Sequence, residues 1–101
     1  MHLIQILLPL YSESSVAIKD ELINNIRKQL TDQFGGVTAL MRSPAVGFWK
    51  DKGNVSRDEI VVLEVMSDYI DRSWWNDYKN SLELLFDQQE IVIRVSQIER
   101  L

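Results

Sequence analysis

Cysteine is absent from the 101 residues, so no disulfide framework, thiolate nucleophile or zinc–thiolate site can be built. That absence fits a reducing compartment, and a cytoplasmic location is the expectation. Histidine occurs once, as His2, which leaves no histidine-based metal cluster. No nucleophile elbow accompanies it, so a Ser-His-Asp arrangement has no support either. The residue after Met1 is histidine, which excludes an amino-terminal proline base. The Gly35-Gly36 pair lacks the spacing of a phosphate loop and follows a helical stretch, where a phosphate loop would precede one. No cofactor and no metal are therefore expected.

Basic clusters are missing too. Residues 1–50 carry five Lys/Arg against four Asp/Glu, and residues 51–101 carry six against eleven. An acidic second half without a basic patch argues against nucleic acid as a partner. The apolar start, Met1–Leu10, has no basic leader region or small-residue cleavage site, and it is too short to span a bilayer. It reads as a first strand, and no membrane partner is expected.

What remains is the composition of an ordinary globular domain, with 46% hydrophobic and 26% charged residues. A chain of this length is one domain, residues 1–101. Leu3–Leu10 reads as a strand that leaves its sheet at Pro9. Tyr11–Ser15 supplies several N-caps for a helix over Val16–Phe34, in which Ile18, Leu22, Ile26 and Leu30 make one stripe and Ile23 and Phe34 widen it. Gly35-Gly36 stops that helix.

Val37–Met41 then reads as a strand, broken at Ser43-Pro44-Ala45 by a bulge or bend and resumed over Val46–Lys50. Asp51–Asn54 is a hairpin turn into Val55–Met66. Ser67 or Asp68 caps a second helix running to about Phe86, with Ile70, Trp74, Tyr78, Leu82 and Leu85 or Phe86 inward. Glu90–Ile98 is the last strand. The order βαββαβ predicts an α+β, ferredoxin-like sandwich: a four-stranded antiparallel sheet in the order 4-1-3-2, with two helices on one face.

Side chains alternate across a strand, so each strand has two faces to assign. Ile4, Ile6, Leu8, Val61, Leu63, Val65, Ile91, Ile93 and Val95 form an apolar set that should lie under the helices. The opposite set is mixed, and it places one polar residue at the middle of each apolar strand: Gln5, Glu64 and Arg94. Such a residue is costly unless it is paired, wetted or used. With one bulge residue at Ser43-Pro44, Arg42 completes a transverse row: Arg94, Gln5, Glu64, Arg42. Apolar neighbours around that row make the face an interface, and a homodimer through the open sheet is the expected partner arrangement.

Glu64 with Arg42 or Arg94 has two readings, a structural ion pair that fixes register or a carboxylate and anion anchor for a small-molecule ligand. Phe48, Trp49, Trp74, Trp75 and Tyr78 fill a core or wall a pocket for a flat ligand. Two adjacent tryptophans on a helix cannot face the same way, so one belongs at a surface. Trp75 is retained as the interface or ligand candidate, with Trp49.

Phe34-Gly35-Gly36-Val37-Thr38-Ala39, Arg42-Ser43-Pro44-Ala45, Gly47-Phe48-Trp49-Lys50, Asp58–Val61, Glu64-Val65-Met66, Trp74-Trp75 and Gln89–Arg94 together resemble a group of small bacterial proteins of unknown function. The resemblance covers nearly the whole chain. It implies a ferredoxin-like fold in the manner of dimeric α+β barrel proteins, and it implies no activity and no catalytic residue. The expected role is a homodimeric binding or regulatory domain. The alternative is a cofactor-free enzyme, isomerase- or oxygenase-like, with Glu64 as base, Arg42 or Arg94 as anion anchor and Trp49 as a wall, in a cleft between sheet and second helix.

Overall fold

The computed structural model describes residues 1–9, 20–51 and 54–101, with side chains described for 1–9, 20–38 and 60–101. Its elements are β1 (His2–Pro9), α1 (Asp20–Phe34), β2 (Thr38–Asp51), β3 (Asn54–Ser67), α2 (Arg72–Leu85) and β4 (Val92–Gln97). The four strands form one sheet in the order β2-β3-β1-β4, antiparallel at every junction. The predicted start of α1, its Ile18, the capping residues Tyr11–Ser15 and the hairpin tip at residues 52 and 53 lie outside the described residues.

The core is built from alternation on two strands and a stripe on each helix. Ile4, Ile6 and Leu8 of β1 and Val61, Leu63 and Val65 of β3 are buried. They form one cluster with Ile23, Ile26 and Leu30 of α1 and with Trp75, Leu82 and Phe86 at α2. Both helices therefore cover the same face of the sheet. β4 is less well covered than its sequence suggests: Ile91 is buried and Ile93 is partly so, but Val95 is 41% exposed. β4 is an edge strand, and the buried sheet positions lie mainly on β1 and β3.

The ends of the helices follow from local chemistry. Gly35 has φ +81, and its N–H donates to Thr31 O at 2.8 Å, the left-handed closure that glycine adopts without a Cβ clash. α2 starts later than the sequence predicts. The Ser67 hydroxyl is engaged at the end of β3, donating to Tyr69 O at 2.7 Å. Asp71 takes the cap, its Oδ1 accepting the Trp74 N–H at 3.1 Å. Beyond α2, Asp87 adopts φ 52, and the Gln88 N–H donates to Glu83 O at 3.0 Å.

Glu83 ties this turn to the sheet. Its Oε2 accepts from Lys79 Nζ at 2.9 Å and from the Ile91 N–H at 2.9 Å. The lysine bond, then the backbone bond, hold its carboxyl below the usual range.

Between the helices, four aromatic rings close the core. Trp75 stacks on Phe34 with centroids 5.2 Å apart and meets Trp74 edge-on at 4.8 Å. Trp74 stacks on Tyr78 at 4.9 Å. The pair of tryptophans divides as expected, but the surface member is Trp74. Trp75 is only 6% exposed, because Phe34 at the end of α1 lies flat against it. Trp75 is thereby corrected from the exposed member of the pair to a core residue.

Candidate functional site

The face of the sheet away from the helices carries the polar row. Gln5 on β1 stands directly opposite Arg94 on β4 and Glu64 on β3. Gln5 Nε2 donates to Glu64 Oε2 at 2.7 Å. An ionised carboxylate only accepts, so its contact fixes which end of the amide faces it. Both side chains are half-buried, while Arg94 is exposed. Among the described residues Arg94 makes no ion pair or side-chain hydrogen bond.

The fourth member of the row differs from the sequence expectation. Thr38 is opposite Glu64, and Arg42 falls in the irregular segment between Leu40 and Ala45. Five steps along β2 there match two along β3, so the bulge holds more than the single residue that would set Arg42 beside Glu64. The side chains of Arg42 and Trp49 lie outside the described residues.

Around the row the open face is mainly apolar. Leu3, Leu7, Ile60, Val62 and Ile98 are half-buried, and Met66 and Val92 are each 44% exposed. At one end of this face Glu64 borders a wide cleft of about 570 Å³, also lined by Phe34, Gly35, Thr38, Tyr69 and Arg100. Arg100 and Tyr69 had no signal in the sequence. Arg100 arrives because the chain runs on beside β1 after β4, with the Ile98 N–H donating to Met1 O at 3.0 Å.

A smaller cleft of about 190 Å³ lies between α2 and β4, lined by Arg72, Trp75, Lys79, Ile93 and Val95 among others. Glu64 does not reach it. Its strand neighbours Leu63 and Val65 are buried under the helices, so alternation turns Glu64 to the other face. The enzyme arrangement with Glu64 in a cleft between sheet and second helix is thereby corrected.

His2 points to the helix side with Ile4 and Ile6, and its Nδ1 is buried without a hydrogen-bond partner among the described residues. Among the described residues, no group of three His, Cys, Asp or Glu lies close enough to hold a metal ion. No described helix is long and apolar enough to cross a membrane.

No protein-family model matches the sequence, and no curated protein matches it. Among solved structures, the fold is similar to a divalent cation tolerance protein (CutA1) from Thermus thermophilus. That likeness has a TM-score of 0.64 at 16% identity, over 99% of this chain and 86% of that one. A phage SAM lyase in its apo state matches with a TM-score of 0.64 at 10% identity, over 94% of this chain and 78% of that one. A CutA1 variant from Pyrococcus horikoshii matches with 0.61 at 13% identity, over 100% of this chain and 86% of that one. At these identities the likeness shows the fold, a small α+β ferredoxin-like domain.

Proposed function

We propose that this protein is a self-associating binding or regulatory domain, in which the open sheet face meets the same face of a second copy to make a homodimer. The observation that carries the reading is the Gln5–Glu64 hydrogen bond, set among Leu3, Leu7, Val62, Met66 and Val92 on the face that neither described helix covers. An antiparallel sheet with one solvated face normally places polar residues there. This face instead spends most of its positions on apolar side chains. Its plan area, taken from ordinary strand spacings and with the polar row included, is roughly 400 Å², within the range of the largest patch on a typical monomer, which is often functional.

Sedimentation of the 11.8 kDa chain tests the proposal. The wild type should run as two copies at tens of micromolar. Leu7→Lys, which sets an ammonium in the middle of the outward face, should run as a folded monomer. A wild type that sediments as a monomer overturns the reading.

The cleft beside Glu64 supports a second role for the same edge of the sheet, the capture of a small molecule. Glu64 can receive a cationic or hydrogen-bond-donating group and Arg100 an anionic one, with Phe34 and Tyr69 as apolar walls. In this reading Arg100 is the anion anchor, in the place that the sequence assigned to Arg42 or Arg94. The fold also hosts an enzyme, the phage SAM lyase, but fold alone does not carry an activity to this chain. Glu64→Gln should keep the fold and remove any ligand-dependent rise in melting temperature. A rise that survives Glu64→Gln overturns the role of the carboxylate.

A further inference from the structure

Arg94 and Glu64 carry opposite charge on the same sheet face, one strand apart on either side of Gln5. Adjacent strands are roughly 4.8 Å apart, which puts the two backbones roughly 10 Å from each other. The Gln5 amide occupies the space beside Glu64 and takes one of its oxygens. A carboxylate can accept further bonds, and Arg94 has no partner among the described residues. Each charge is thus left with bonding capacity that the described residues do not fill.

We infer that Arg94 of one copy pairs with Glu64 of the other across a two-fold axis that runs along β1. The inference rests on the sheet-face association proposed above, and it names the contact that sets its register. An axis in the interface plane and parallel to β1 reverses the strand order of the second sheet. β1 then lies over β1, and β4 of each copy lies over β3 of the other. Gln5 meets Gln5 on the axis, and the two charged pairs form symmetrically on either side of it.

The reach is suitable. Stacked sheets are about 10 Å apart, which lies within the combined reach of an arginine and a glutamate side chain. A guanidinium can grip a carboxylate through two parallel bonds, and Glu64 offers its second oxygen.

Neighbouring registers leave charge unmatched. With the axis between β1 and β3, Arg94 sits over Thr38, so two guanidiniums are enclosed without a carboxylate. Enclosing an unpaired charge costs far more than a displaced apolar contact. The β1-centred register is the one in which both signs are answered.

A charge exchange between copies tests this. R94E and E64R are prepared separately, checked for folding by circular dichroism, and sedimented alone and as an equimolar mixture. Each alone should self-associate at least ~30-fold more weakly than wild type, the scale for breaking one member of an interfacial charge pair. The mixture should recover association to within ~10-fold of wild type, because one copy then presents two carboxylates and the other two guanidiniums.

Should a reversal unfold the chain, R94Q and E64Q replace it, each weakening association, with the double variant no weaker than the worse single one. Single variants that associate like wild type overturn the pairing and leave the sheet-face dimer standing, as does a mixture that fails to recover. A monomeric wild type overturns both.

Discussion

Replacing Trp75 separates a core residue from a site residue. Its indole is 6% exposed, stacked at 5.2 Å on Phe34 and met edge-on by Trp74 at 4.8 Å and Tyr78 at 5.9 Å. Trp75→Ala removes the side chain that joins α2 to the end of α1, and the ring-on-ring contacts give the cavity little freedom to collapse. The expected loss is about 3–5 kcal/mol. For a chain near 100 residues this lowers the melting temperature by roughly 12 °C or more.

Trp74 is half-exposed, and Trp74→Ala should cost about 1–2 kcal/mol, nearer the ordinary effect of a point mutation. Urea unfolding followed by far-ultraviolet circular dichroism reads both, at a single protein concentration so that association is held constant. If Trp75→Ala costs less than about 1 kcal/mol, or less than Trp74→Ala, the burial argument is wrong. Trp75 would then be free to serve a ligand or an interface.

Two pH effects follow from the titrating groups. The Glu83 carboxyl is held below its ordinary value of 4.5 by Lys79 and by the Ile91 N–H, so its stabilising effect is full above about 4.5 and fades as pH falls through the lower folded value. Glu83→Gln should therefore lower the melting temperature most at pH 7, with a loss that shrinks as pH falls below 4.5. A loss that stays constant as pH falls would refute the linkage. Burial pushes the Tyr78 hydroxyl up to about 12 from 10.0, so its contribution is complete below pH 10 and is lost as pH rises towards 12. With Tyr11→Phe and Tyr69→Phe in the background, the tyrosinate absorbance should rise near pH 12. A midpoint at 10 would mean that the hydroxyl is fully hydrated.

The sheet core was legible because alternation on β1 and β3 has one solution: Ile4, Ile6, Leu8, Val61, Leu63 and Val65 all face the helices. The Gln5–Glu64–Arg94 alignment was legible for the same reason, since three unbroken strands keep their phase. Arg42 was misplaced because a bulge hides its length in the sequence. Ser43-Pro44 announces an interruption, but only the partner strand tells how many residues it consumes. The choice between Trp74 and Trp75 depended on where Phe34 would lie, a contact between distant helices that no local period encodes. α2 was started too early because Ser67 and Asp71 are both competent caps, and only a hydrogen bond to Tyr69 O removes the first.

The irregular stretch of β2 also has a consequence for chain length. Before it, even-numbered residues of β2 pair with even-numbered residues of β3 (Thr38 with Glu64). After it, odd pairs with even (Ala45 with Ile60). The surplus of β2 over β3 is three residues, and all of it lies between Leu40 and Ala45, while β3 runs through without a break. Paired residues share a face of the sheet, so the unbroken strand sets the phase of both halves of the hairpin. A gain or loss of residues confined to this stretch should therefore change how many β2 residues stand unpaired and leave the ladder from Ala45–Ile60 to Asp51–Asn54 in place.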